Sequence, residues 1–147
     1  LGSAAYNITA SAYYTAERGT TVYSGHAATW TGKIGLMYPS DYGYATAGGS
    51  TTNRSTCLTT TMGNWNGSGV TDCKNNDYLY HSDYPWTLAP SSSIAGLVFY
   101  VDTEGFVSSG RAYAPFSVRP AAYLKSDISI TDVGTGTAES PFQLKVG

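Results

Sequence analysis

The sequence predicts an α+β domain, close to mostly β, built from many short antiparallel strands, one or two short helices and much irregular loop. Three observations lead there. Short β-branched and aromatic runs recur along the chain between clusters of Gly, Ser, Asn and Pro. Little of the chain reads as helix, and the best candidate supports only one or two turns. One hairpin stands out: Val98-Phe99-Tyr100-Val101, then the turn residues Asp102-Thr103-Glu104-Gly105, then Phe106-Val107. On the alternation, Val98 and Tyr100 face one side of that sheet, and Phe99 and Val101 the other.

Taken in order, residues 1–19 form a loosely patterned lead-in. Within it, Asn7-Ile8-Thr9 and Ala12-Tyr13-Tyr14 read as strand pieces, and Glu17-Arg18-Gly19-Thr20 as a turn. Thr20-Thr21-Val22-Tyr23 is β-prone. Trp30 to Tyr38 gives an apolar strand ended by Pro39, and Ser40 caps a helix of one or two turns over Asp41 to Ala45. Ala47 to Thr52 is a flexible connector. Asn53 to Tyr80 is rich in turn formers, with a helical turn in Leu58 to Trp65 that sets Met62 and Trp65 on one face. Asp77 to Tyr80 is a short strand leading through His81 to Tyr84 into Trp86. Residues 86–124 organise the rest. Their ends, Trp86-Thr87-Leu88-Ala89-Pro90 and Val118-Arg119-Pro120-Ala121-Ala122-Tyr123-Leu124, look fixed, and the hairpin lies between them flanked by loops Ser91 to Gly96 and Ser108 to Ser117. Beyond them Ile128-Ser129-Ile130 alternates, Gly134 to Thr137 turns, and Pro141 to Leu144 closes the chain.

A chain of 147 residues is natural for one domain and can bury a real core. Hydrophobic residues make up 41%, against disorder, while charged residues are only 12%. Solubility therefore comes from hydroxyls, amides and backbone. The net charge of −2, with no basic stripe, gives nucleic acid little to bind. No apolar run has spanning length, so no direct membrane insertion is expected. Cys57 and Cys73 are too far apart for a CxxC site, and only His26 and His81 could help them hold zinc. A disulfide fits better. It would stabilise the fold by roughly 3 kcal/mol and implies an oxidising compartment; two buried free thiols are the alternative.

A catalytic site is hard to assemble, and neither an enzyme nor a cofactor is expected. GxSxG, HExxH, Walker A and GxGxxG are all absent. His81, Ser82 and Asp83 are adjacent, so their side chains diverge and make no triad. Nothing selects a hydrolytic pair from Asp41, Asp72, Asp77, Asp83, Asp102 and Glu104. Asp72, Asn75, Asn76 and Asp77 supply hard oxygens for calcium, but their spacing fits no EF-hand, and turn chemistry explains them without an ion. No metal is expected. N-x-S/T sequons at Asn7, Asn53 and Asn66 matter only in a eukaryotic secretory pathway. Arg119, held extended by Pro120, either locks the last strand by pairing with a carboxylate or loop carbonyl or binds an acidic ligand, and the structural role is preferred.

Rigid strands carrying Ser-, Tyr- and Gly-rich loops are a common way to make a binding surface. The candidates for one shared exposed patch are His81, Asp83, Tyr84, Ser91, Ser92, Ser93, Tyr100, Asp102, Arg111, Tyr113 and Phe116. Tyr and Arg are its expected anchors, since they bury large area for few frozen torsions. Trp86 belongs to the scaffold in this reading.

Four blocks carry a family resemblance: Trp30 to Thr46, Cys57-Leu58 with Asp72 to Asp77, Trp86 to Pro90, and Val118 to Ser126. Together they resemble a domain family of unknown function on the surface of gut Firmicutes, often placed after a prepilin-type helix. The family is similar to the C-type-lectin-like and formylglycine-generating-enzyme-like fold, which also displays the variable proteins of diversity-generating retroelements. The calcium and sugar motifs of true C-type lectins are absent, and the cysteines are central rather than late, so neither calcium-dependent sugar binding nor formylglycine generation is implied. The loops His81 to Tyr84, Ser91 to Gly96 and Ser108 to Ser117 hold no Lys, Glu, Gln, Met or Trp, in keeping with diversified positions. The resemblance implies a single C-type-lectin-like domain over residues 1–147. It would act as an extracellular, non-enzymatic adhesin or receptor-binding head that meets a protein or glycan on another cell or surface, attached to a pilus or cell-surface anchor. The alternative is a structural pilus or surface-layer subunit whose loops pack against its neighbours.

Overall fold

The fold was described from a computed structural model, which covers residues 1–75, 80, 82–137 and 139–147. It is α+β, with short helices in the first half and small antiparallel sheets in the second. The N-terminal third departs from expectation. Ala10–Glu17 is not strand or turn but a helix, α1. The Thr9 hydroxyl caps it by accepting from the Ala12 N–H at 3.3 Å. Ala10, Tyr13 and Glu17 form its buried face at helical spacing. Thr20 to Tyr23 forms no strand. In Trp30 to Tyr38 only Gly35–Leu36, β1, is strand.

Helix α2, Pro39–Ala45, starts two residues earlier than the sequence suggests. Pro39 takes the first turn, where no N–H is needed. The N-terminal partner is Asp41, whose Oδ2 accepts from the Tyr38 N–H at 2.8 Å. Ser40 points inward instead. Its N–H donates to Glu17 Oε1 at 2.9 Å and its hydroxyl to Glu17 Oε2, which ties α2 to α1. The helices cross closely because Gly43 has no side chain: a Cβ there would lie 2.6 Å from Ala10 Cβ and 2.9 Å from Met62 Sδ. Arg54 closes the far end of α2, donating to the carbonyls of Tyr44 and Thr46.

Helix α3, Arg54–Thr59, is capped by Asn53 and followed by 3₁₀ turns at Met62–Asn64 and Thr71–Lys74. The expected helical turn is the first of these, and Met62 and Trp65 are both buried. The Cys57–Cys73 disulfide is formed and joins α3 to the second 3₁₀ turn. The central sheet runs β2 (Trp86–Pro90), β3 (Leu97–Val101), β4 (Val107–Arg111). β3 and β4 make the expected hairpin, with Tyr100 opposite Ser108 and Val101 opposite Val107. Phe99, Val101 and Val107 point into a core shared with Tyr13, Tyr42, Met62, Trp65 and the disulfide. Tyr13 meets Phe99 edge-on at 5.3 Å. The hairpin tip is docked too, since the Tyr42 hydroxyl donates to the Gly105 carbonyl at 2.7 Å and the Tyr80 hydroxyl to that of Thr103 at 2.6 Å.

Two smaller sheets complete the chain. β5, Pro120–Ala121, pairs with β1, and β6, Ile128–Ile130, pairs with β7, Leu144–Val146.

Candidate functional site

The outer face of the central sheet carries an aromatic cluster. Trp86 on β2 lies opposite Tyr100 on β3, so both project to the same side, away from Phe99. Their rings meet edge-on at 5.9 Å. After β4 the chain turns back through residues 112–117, with Ala112 N–H on the Gly96 carbonyl and Ala114 N–H on that of Arg111. That return lays Phe116 on the pair, 4.8 Å from each ring. Tyr84 then stacks on Phe116 at 5.1 Å and 22°. Gly110 provides the floor: a Cβ there would sit 3.2 Å from Tyr100 and 3.4 Å from Phe116. Glycine inside a strand often marks such a close approach.

Burial grades outward across this surface. Trp86 is 9% exposed, Tyr84 38% and Tyr113 83%. Tyr84 also holds a φ of 51°, a left-handed conformation that costs a bulky residue about 1–2 kcal/mol. Backbone strain of this kind is found at binding and active sites, where surrounding contacts enforce it. Here Ser117 N–H donates to the Asp83 carbonyl at 3.3 Å and Trp86 N–H to the Ser117 carbonyl at 3.0 Å, fixing the residues on either side.

The structure brings Tyr84, Tyr100 and Phe116 into contact, with Asp83 beside them. Arg119 Nη2 lies 3.7 Å from Asp83 Oδ1, in keeping with its expected locking role. Arg111, at the end of β4, and Tyr113, on the return loop, are exposed, and Ser92 and Ser93 lie on the neighbouring loop that the Ala112–Gly96 bond holds alongside. Two expected members of the patch are engaged within the fold. Ser91 is buried, because its backbone bridges to Ala4 and its hydroxyl accepts from the Ser93 and Ile94 N–H groups. Asp102 is engaged in the hairpin turn, where Oδ1 accepts from the Glu104 N–H at 3.1 Å. His81 lies outside the described residues. Sequence reasoning missed Trp86 and Gly110 as parts of the surface, and Ile94, 52% exposed.

The alternative calcium loop has another use for its residues. Asp72 Oδ2 accepts from the Thr51 N–H and hydroxyl, both at 2.5 Å, and from the Thr52 N–H at 3.1 Å. Asn75 donates to the Gly48 carbonyl. Together they brace the 47–52 connector against the disulfide region. Asn76 and Asp77 lie outside the described residues. Among the described residues no three His, Cys, Asp or Glu side chains are grouped to hold a metal ion.

No protein-family model matches this chain, and neither a curated protein nor a solved structure matches it.

Proposed function

We propose that this chain is an extracellular, non-enzymatic binding head, and that it captures a protein or glycan ligand through the outer face of its central sheet. One observation carries the reading: a disulfide-braced core supports a cluster of aromatic rings that grades from buried Trp86 to exposed Tyr84, with Tyr113 exposed on the loop beside it. Such a gradient is what an energetic hot spot needs, namely rigid aromatic anchors in a pre-set arrangement with polar groups at the rim. The near-neutral charge leaves stacking and hydrogen bonding, rather than steering, to supply affinity. The bonded cysteines favour an oxidising compartment. A C-type-lectin-like scaffold with diversified loops, as the sequence resemblance implies, is part of the same proposal.

Flow cytometry of the labelled domain on bacterial and epithelial cells tests it. Saturable binding is expected on at least one surface, weakened about tenfold by Arg111→Ala or Tyr113→Ala. Binding that neither substitution changes, or none on any surface, overturns the proposal.

A second reading, a self-assembling surface subunit, is favoured by the C-terminal hairpin. Ile128 pairs with Val146 and Ile130 with Leu144, so one face is apolar, and Ile130, Leu144 and Val146 are all more than half exposed. Sizing across concentration separates the two: a monomer supports the binding head, and ordered polymers support the subunit.

A further inference from the structure

A cleft of about 550 Å³ opens beside the central sheet, sharing no residue with the aromatic surface described above. Its walls come from residues 28–33 and 35–36, the start of α2, Leu88 of β2 and residues 121–123, from the end of β5 onward. The Leu1 backbone nitrogen donates to the Ala28 carbonyl and holds the first wall in place. The volume lies within the range of ordinary small-ligand sites.

Trp30 gives the cleft its chemistry. Its indole folds down over Gly32, where a Cβ would fall 2.1 Å from the ring, and one at Gly35 would lie 3.8 Å from it. Glycine backbone thus supports the ring, while the side chain stays 55% exposed. Tyr38 and Tyr123 add two more rings, and Leu88 an apolar floor. Two polar groups of opposite charge join the lining, Lys33 and Asp41. Asp41 is held in position by the Tyr38 N–H.

A supported aromatic ring with an open side suits a flat, weakly polarised C–H surface, because the ring's π face is negative. The charged side chains of the lining are one amine and one carboxylate, a balance that argues against a charged guest. The Arg18 guanidinium already lies 5.4 Å from the Tyr38 ring, which further disfavours a cation. A pyranose meets both demands, with a C–H face to stack and hydroxyls that can accept from Lys33 and donate to Asp41. We propose that this cleft is a second binding site, which takes a neutral sugar ring, with Trp30 as its stacking platform.

Saturation-transfer difference NMR on the intact chain provides the test, with methyl β-galactopyranoside, methyl β-glucopyranoside, diacetylchitobiose and choline as probes. At least one sugar should receive saturation at its ring C–H protons, and choline none. Trp30→Ala should weaken that binding about tenfold, and Gly32→Ala should do the same by displacing a retained indole. Tyr123→Ala, at a side chain 95% exposed and so safe for folding, should also weaken it. Tyr113→Ala should leave it unchanged, which keeps failure of this site distinct from failure of the sheet surface. No sugar signal, a choline signal without one, or sugar binding indifferent to all three cleft substitutions overturns the proposal.

Discussion

Trp86 and Tyr113 belong to neighbouring parts of one surface yet differ in what they hold together. Trp86 is 9% exposed and packed by Tyr100 and Phe116, so Trp86→Ala is expected to cost about 3–5 kcal/mol in urea unfolding. Tyr113→Ala, at an exposed position, is expected to change stability by no more than about 0.5 kcal/mol. Gly43→Ala tests the helix crossing. The new methyl meets Ala10 and Met62, and such overpacking costs about 1–3 kcal/mol. Two carboxylates are shifted in opposite directions. Burial pushes Glu17 up, against the opposing bonds from Ser40. Its folded-state pKa is raised, so it weakens the fold above that pKa and the penalty fades as pH falls through it. The Thr51 hydroxyl, then the Thr51 and Thr52 N–H groups, hold Asp72 below the ordinary carboxylate range. Its contribution is complete above the unfolded-state pKa and is lost as pH falls through the depressed folded value. Asp72→Asn should therefore lower Tm at neutral pH and flatten the loss of Tm in acid; an unchanged acid limb would remove Asp72 from the account.

At the scale of elements, the disulfide and the hairpin tip fix the same region from two sides. Cys57 and Cys73 are 16 residues apart and enclose a segment whose described regular structure is two 3₁₀ turns and the end of α3. Alkylation without reductant should show no free thiol by intact mass. Reduction should cost about 3 kcal/mol, the loop-closure entropy of a link of this length, read as a shift in the urea midpoint. The tip of β3–β4 packs on Lys74 and accepts from Tyr42 and Tyr80, so it is a structural contact rather than a display loop. The loops left more exposed lie at the other end of those strands, around Ser92, Ile94 and Tyr113.

Across the whole molecule, stability is unevenly distributed. α1, α2, α3 and β2–β4 share buried side chains around Tyr13, Trp65 and Phe99, whereas β6–β7 is a two-stranded ribbon with most side chains exposed. An isolated hairpin is marginal in water. Native-state hydrogen exchange should therefore protect the amides of β3 most strongly and those of β6–β7 least. Equal protection of the two would mean that the C-terminal ribbon unfolds only with the core.

Alternation alone was enough to predict the β3–β4 hairpin and its two faces, because a period of two is a local property of the chain. The cysteine pair and the turn glycines were legible for similar reasons, since few other uses fit them. Helix α1 was not. Ser11 to Thr15 is rich in aromatic and hydroxyl residues, and its buried face ends in a carboxylate that reads as surface until Ser40 arrives from 23 residues away to receive it. Ser91 and Asp102 looked like loop contacts because local polarity does not show which backbone groups a side chain will satisfy. The sequence determined by itself which segments alternate, turn and cross-link. Only the tertiary structure decided which aromatic residues meet. Trp86, Tyr100, Gly110 and Phe116 are joined by strand register and a returning loop, and contacts between distant segments have no periodicity to announce them.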